Sequence, residues 1–428
     1  MQFLQDLEKQ LEVAASDIQS IAQNFKKAIE CGLTGEKSPL LMLPSYIGKP
    51  SGDETGTFLA VDMGGSNLRV AKFIIAQRRI TKTAEISAGL RSSDGSYDYT
   101  ISQTTAEELF DFFAEKIAQV VAPGEKCFLG HTFSFPTQQH DINNATLIMW
   151  TKEIAVSGVV GKNPNQLLLD ALKRKKLDII PCAIINDTVG TLLVAACQYA
   201  EADIGSILGT GHNTCYIEPH HPLTGKPMIV NMEAANFDWE LPYTEYDDIL
   251  DAASNKPGRA RLEKMISGAY LGEVVRIIIC KLAEEGAVFE GNHQYQSLIA
   301  EKYSLPSKVI SDFIQNQASI RKMFGCSNED AKAISFISTL VSRRGARLAA
   351  GTYIGNVLHI DPELKEKHII AVDGSIYEKM PGFKEELRKA LDEVLGNRSD
   401  KIIMQLVKDG SGAGAAVAAA MTTGESAG

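Results

Sequence analysis

The feature that most constrains this chain is a pattern that recurs along it: an apolar run of strand length that stops at an acid or a glycine turn. It occurs at Asp62 with Gly64-Gly65, at Asn186-Asp187, at Gly209-Thr210-Gly211, at Asp373-Gly374-Ser375 and at Gly410-Ser411-Gly412. The runs ahead of them, among them Phe58 to Val61, Ile179 to Ile185 and His368 to Val372, read as strands. Strands that turn polar or glycine ends toward one crevice are how α/β sheets build nucleotide sites, because phosphate oxygens need backbone amides and hydroxyls at close range. A mixed α/β fold with strand ends converging on a cleft is the expectation.

The first of these stretches, Thr57 to Ile75, reads as strand, tight turn, strand, with Asp62 where the first strand runs out. Gly64-Gly65 is expected to supply the positive φ angles of a tight hairpin, and small residues there let amides approach an anion. Taken alone, the same residues also describe an ordinary β-hairpin. Ser206 to Ile217 repeats the theme, which suggests two similar halves, each opening on a glycine hairpin. Two alternative nucleotide motifs fail. Gly158 to Asn163 has the wrong spacing for a P-loop and no Ser or Thr after Lys162, and Gly410-x-Gly412-x-x-Ala415 has no second βαβ half behind it.

Between these sites the periodicity predicts helices. Residues 3–31 form one helix or a pair with a single apolar face, and Gly32 is the expected C-cap. The Pro- and Gly-rich stretch 39–54 reads as an extended connector that offers a hinge. Helices are also expected over 106–121, 166–174, 190–199 with Thr188 as cap, 261–285 and 331–357, and an alanine-rich one after Gly410. Residues 126–135 read as a strand running into Pro136, and 179–185 as a strand of the fully buried kind.

At 428 residues the chain exceeds the size at which single cores stop growing, so two lobes with a cleft between them are expected. A composition of 44% hydrophobic and 22% charged residues is that of a soluble globular protein, and a net charge of −10 argues against a nucleic-acid partner. Lys173 to Lys176 reads as a solvated basic face. Seven scattered cysteines without CxxC or CxxH spacing suggest neither a disulfide framework nor a zinc site, and fit reduced thiols in a cytoplasm. The N-terminal stretch lacks the pattern of a signal peptide, and nowhere do 18 apolar residues run together, so no membrane role is expected.

The segments FLAVDMGGSNLRV, LGHTFSFPTQQ, MWTK, INDTVGTL, LGTGHNTCYIE and AVDGSIY stand in the order seen in the hexokinase/glucokinase family, and the resemblance runs from Met42 to the turn at Gly410. It implies a two-lobed, actin-like (ribonuclease H-like) sugar kinase fold with an interlobe cleft. The expected division is residues 1–55 and 188–410 in a large lobe, 56–187 and 411–428 in a small one. The implied activity is transfer of the γ-phosphoryl group of ATP to the 6-hydroxyl of a hexose, with glucose the leading candidate. Hexose and MgATP are then the partners, and the protein works as a monomer or homodimer with one such module in the chain.

By position, the resemblance makes Asp187 the catalytic base and Lys152 a cation between sugar and γ-phosphate. It assigns sugar contacts to Ser134, Thr151, Lys152, Asn186, Asp187, Asn213, Glu233 and Glu263. These are amides, carboxylates, short hydroxyls and one amine, types that donate to or accept from vicinal hydroxyls. Asp62 would act on Mg²⁺ through water, with no direct protein ligand, since Mg²⁺ keeps its waters. For ATP, Gly64, Gly65, Ser66, Asn67 and Arg69 would form the first phosphate hairpin and Gly209 and Thr210 the second, with Gly374, Ser375, Gly410 and Ser411 flanking the adenosine. Without the resemblance, a lone Asp after a strand is also a helix cap, Ser134 and Thr151 are also structural residues, and Arg69 is also an exposed strand residue.

Several positions depart from the family pattern. Ser66 replaces threonine, Glu153 a glycine, and Ala413 and Glu378 replace basic residues, leaving fewer cations near the nucleotide. A hexose-sensing protein that binds sugar without turnover is the alternative, separable by sugar-dependent stabilisation with no ADP release. An actin-like ATPase indifferent to sugar is disfavoured by the Ser134-Phe135-Pro136 and Trp150-Thr151-Lys152 segments.

Overall fold

A computed structural model of the chain describes residues 2–151, 154–291 and 295–424. It begins with α1 (Gln2–Leu11) and α2 (Ala15–Thr34), then β1 (Leu43–Pro44), β2 (Gly56–Met63), β3 (Asn67–Ala76) and β4 (Arg79–Gly89). Next come α3 (Ala106–Ala118), β5 (Cys127–Phe133), the hairpin of β6 (Thr137–Asp141) and β7 (Asn144–Leu147), α4 (Pro164–Arg174), β8 (Ile179–Ile185) and α5 (Asp187–Gln198). The strands β9 (Ala202–Leu208), β10 (His212–Glu218) and β11 (Met228–Asn231) lead into a helical run. That run is α6 (Glu245–Ala253), α7 (Arg261–Ile266), α8 (Leu271–Glu284), α9 (Tyr295–Ile299), α10 (Ser307–Gln315), α11 (Gln317–Phe324) and α12 (Asn328–Ile360). The described chain ends with β12 (His368–Asp373), α13 (Ser375–Lys379), α14 (Phe383–Leu395), β13 (Ile402–Leu406) and α15 (Gly410–Gly424).

The strands make two main sheets, β4-β3-β2-β5-β8 and β1-β11-β10-β9-β12-β13. Each pairs an antiparallel glycine hairpin with parallel neighbours: β2 runs parallel to β5 and β5 to β8, while β9 runs parallel to β12 and β12 to β13. Because side chains alternate along a strand, each sheet has two apolar faces. In β2, Leu59 and Val61 join the cluster under α3 and α4, whereas Phe58 and Ala60 join the cluster around α5 and α15. In the larger sheet, Cys215 and Ile217 face α5 and α15, while Tyr216 and Val230 face the core built on α2 and α12. Thus α5 and α15 form the middle layer between two sheets.

That middle layer dictates its sequence. The run Ala415 to Ala420 is buried, and a Cβ on Gly414 would stand 2.2 Å from the Gly190 Cα, so only hydrogen fits where the two helices cross. A Cβ on Gly130 of β5 would likewise lie 1.8 Å from the Ala415 carbonyl oxygen. Small side chains let backbones approach to this distance, and the dispersion gained along the crossing is the return for their low individual hydrophobicity.

Five local expectations are corrected. Gly32 lies inside α2, which runs on to Thr34; Gly35, at φ 78°, takes the cap because only there does the chain turn left-handed. Asn186, not Thr188, caps α5: its Oδ1 accepts from the Thr188 backbone N–H at 2.9 Å, so the helix starts three residues before Gly190. The stretch 261–285 is two helices, since the Gly268 and Ala269 backbone N–H groups leave the helical ladder and turn to the carbonyls of Gly209 and Thr210. Ile179–Ile185 is an edge strand with Ile180 46% exposed, a place that tolerates Pro181. Gly64 has no positive φ; the three-residue turn is closed by its N–H on the Asn67 carbonyl at 3.0 Å, and Leu90 N–H ties down the Ser66 carbonyl at 2.8 Å.

Candidate active site

The register of the parallel strands brings the predicted residues to one level. Asp62 pairs with Thr132 and Thr132 with Ile185, so Asp62, Thr132 and the Asn186-Asp187 step all lie at the C-terminal rim of the smaller sheet. In the larger sheet Asp373 pairs with Ile207 and Val372 with Leu406, so Gly209-Thr210, Gly374-Ser375 and Asp409-Gly410 share the corresponding rim. The first turn of α15 ties the two rims together. Ser411 Oγ donates to Asp62 Oδ2 at 2.7 Å, Thr132 Oγ1 donates to the Ser411 carbonyl at 2.7 Å, and Gly410 N–H donates to Asp373 Oδ2 at 3.0 Å.

Acid therefore accumulates at this point. Burial raises the Asp62 carboxyl above the usual range, the Ser411 hydroxyl lowers it, and the negative charge of Asp187 raises it further. Asp373 is raised first by burial, lowered by the Gly410 N–H, and raised again by the charges of Asp409 and Asp187. A cation relieves such crowding. Among the described residues no group of three or more His, Cys, Asp or Glu is disposed to cage a metal ion. Carboxylates gathered at one point are the kind of donor that a hydrated Mg²⁺ accepts.

Glycine shapes the anion side of the cleft. Gly374, at φ 132°, lies against the β9–β10 turn so closely that a Cβ would stand 2.3 Å from the Leu208 carbonyl carbon. Gly268 N–H and Ala269 N–H hold the Gly209 and Thr210 carbonyls at 2.8 and 3.0 Å, fixing that turn from the α7–α8 junction. Two helices of full length, α5 and α15, begin at this rim, and helix N-termini favour negative charge. Arg69 pairs with Asp62 across the hairpin and lowers its carboxyl, although its own side chain is exposed; Ser66 and Asn67 are exposed, with Asn67 Nδ2 donating to Ser66 Oγ at 3.2 Å. Glu378, expected to remove positive charge, accepts from Lys408 at 2.7 Å, so that acid arrives already neutralised; Ala413 is buried under the same turn.

The predicted sugar residues divide by element. Asn186, Glu233 and the unpredicted Asn231 line one notch, walled by Phe133 and Phe135. Asn213 Nδ2 donates to Asn231 Oδ1 at 2.8 Å, and Glu263 Oε2 accepts from the neighbouring His212 N–H at 2.9 Å. Phe135 N–H closes on the Phe133 carbonyl at 2.9 Å, which puts Ser134 at the apex of a three-residue turn. Trp150, the residue before Thr151, packs on both phenylalanines, with ring centroids 5.9 and 5.0 Å away. Lys152, together with Glu153, lies outside the described residues. Three further residues stand at the site without having been expected there: Thr132, Asn231 and Asp409. The tripeptide Asp-Gly-Ser is shared by 373–375 and 409–411, but it also stands in the exposed turn 94–96, so by itself it did not single out Asp409; Thr132 and Asn231 carried no signal.

Comparison with known proteins agrees with this geometry. Residues 3–198 match one family model described as Hexokinase, and residues 203–421 match a second with the same description. Hexokinase-2 of Arabidopsis thaliana is 34% identical over 98% of this chain and 90% of its own length. Hexokinase-1 of Schizosaccharomyces pombe is 33% identical over 98% and 90%. Among solved structures, the hexokinase from Schistosoma mansoni complexed with glucose superposes with a TM-score of 0.84 at 30% identity, covering 98% of both chains.

Proposed function

Since this chain belongs to the hexokinase family, we propose that it transfers the γ-phosphoryl group of ATP to the 6-hydroxyl of glucose or a closely related hexose. The observation that carries the assignment is the position of Asp187: it is the first residue of α5, directly after the Asn186 cap and the end of β8, whose Ile185 stands level with Thr132 and, through it, with Asp62. Asp187 is the general base that takes the proton of the sugar hydroxyl. Asn186, Asn213, Glu233, Glu263, Ser134 and Thr151 orient the sugar so that this hydroxyl faces the phosphate, since phosphoryl transfer asks mainly for alignment and charge stabilisation. Lys152 supplies a cation beside the transferring group.

The glycine turns at Gly64 to Asn67 and Gly209-Thr210 cradle the phosphates, with Arg69 alongside, and Gly374, Ser375, Gly410 and Ser411 border the adenosine. Asp62 holds Mg²⁺ through water, and the metal's contribution is neutralisation of phosphate charge. We take the lobes to divide before residue 56, after residue 187 and after residue 410, with 1–55 and 188–410 in the large lobe and 56–187 and 411–428 in the small one. The seven cysteines lack any pairing pattern along the sequence, and we take the compartment to be the cytoplasm. No described helix is long and apolar enough to cross a membrane.

A coupled assay with glucose and MgATP tests the assignment. Hexose-dependent ADP release by the wild type is expected, and Asp187→Ala should lower kcat by roughly 10²- to 10⁴-fold while sugar-dependent thermal stabilisation persists. Sugar binding by the wild type without ADP release would point instead to a sensor, and full activity in the variant would remove Asp187 from the chemistry.

A further inference from the structure

We infer that Asn231 is a positioning residue for hexose recognition, acting through Glu233 and Asn213; this rests on the hexokinase assignment above. A glutamate carboxylate only accepts hydrogen bonds, so the Asn231 group 3.0 Å from Glu233 Oε1 is its Nδ2. The Asn231 Oδ1 is thereby turned toward Asn213, which must meet it with Nδ2, at 2.8 Å. Asn213 Oδ1 is then committed to the two backbone donors it faces, Thr214 N–H at 2.7 Å and Ala234 N–H at 3.1 Å. One carboxylate sets the orientation of both amides, that of Asn213 through Asn231 and also by a longer bond of its own from Asn213 Nδ2 to Glu233 Oε1 at 3.4 Å, and neither amide can flip without placing donor against donor or oxygen against oxygen.

The backbone around this chain is equally committed. Asn231 ends β11, paired with Cys215 of β10 and Leu43 of β1, and is buried at 7% exposure. Glu233, two residues on, holds φ 54°, ψ 50°, a left-handed conformation that costs a non-glycine residue about 1 kcal/mol or more. Asn231 therefore spans the point where the chain leaves the sheet and bends sharply, and its Nδ2 holds the bent residue's carboxylate. Sugar selectivity depends on groups whose donors and acceptors stand in a fixed order, because a hydroxyl reads that order; a rotated Asn213 or a released Glu233 would offer the wrong one. Asn231 lines the same notch as Asn186 and Glu233, next to the proposed base.

The test is steady-state kinetics on the full chain with glucose and MgATP, using Asn231→Asp, which keeps the oxygen facing Asn213 but opposes a second carboxylate to Glu233, and Asn231→Ala, which removes both bonds. Both variants should raise the KM for glucose by about 10- to 100-fold, the range expected for lost hydrogen bonds to a charged group, and leave the KM for ATP within about twofold. In a Glu233→Gln background the further effect of Asn231→Asp should shrink to about twofold or less, because the carboxylate it positions is already gone. A merely structural residue would give multiplicative losses in that cycle and would affect both substrates. An unchanged glucose KM in both variants, or full multiplicativity, overturns the positioning role while the wild-type activity stands. Wild-type protein that releases no ADP with any hexose overturns the assignment and this role together.

Discussion

At the scale of single residues, the site is a meeting of carboxylates, of which Asp409 is paired with Lys82 at 2.8 Å while the charge of Asp187 bears on both Asp62 and Asp373. Asp62 is the informative position, since burial and the charge of Asp187 raise its carboxyl while the Ser411 hydroxyl bonds it at 2.7 Å. Asp62→Asn keeps an oxygen for Ser411, so the fold should survive. Turnover is expected to fall by about a hundredfold or more, and the Mg²⁺ concentration at half-maximal rate to rise, with the glucose KM unaffected. Rates measured across a Mg²⁺ titration, with EDTA as the zero point, check this; an unaltered titration curve would detach Asp62 from the metal. Asp62, Asp187 and Asp373 were legible because each follows an apolar run that can only be a strand. Thr132 was not, since its partner Ser411 is 279 positions away in the chain.

At the scale of elements, the crossing of α5 and α15 carries the architecture, because those helices fill the space between the sheets and present Asp187 and Ser411 at their first turns. Gly414→Ala separates two effects by sign. Helix propensity alone would stabilise by about 1 kcal/mol. The new Cβ, however, would lie 2.2 Å from the Gly190 Cα and carbonyl oxygen, and overpacking of that kind costs about 1 to 3 kcal/mol or more. A net loss in denaturant titration is therefore expected, accompanied by lower activity because both first turns shift. A stabilised, fully active variant would show that the crossing has slack. The sequence suggested a glycine turn running into an alanine helix here, but its role as the layer between sheets depends on which strands surround it.

At the scale of the whole molecule, each sheet encloses a histidine that stays neutral. His131 on β5 and His212 on β10 are fully buried, and burial lowers each to about 4 from an ordinary value of 6.5. The unfolded chain then binds more protons than the folded one between those values. Their contribution is complete above about pH 6.5 and is lost as pH falls toward 4, on the order of 3 kcal/mol for each. The raised carboxyls of Asp62 and Asp373 act in the opposite sense, gaining stability as pH falls, so the clean measurement is a difference. Replacing His131 by Gln, which keeps a polar group for Asn165 at a buried site, should flatten the slope of Tm against pH between 4 and 6.5 relative to the wild type. Parallel slopes would mean that His131 does not stay neutral in the folded chain.

The sequence by itself determined the order of strands and turns, the mixed α/β class, and the acids at the strand ends. It could do so because those signals are local: an apolar run needs only its own residues to be read, and the turn that ends it lies next in the chain. Only the tertiary structure decided that Asn186 caps α5, that Gly64 needs no positive φ, and that Lys408 neutralises Glu378. It also decided that Asn231 stands between Asn213 and Glu233. Each of these follows from distances between atoms of segments brought together by folding, and no spacing along the chain encodes such a distance.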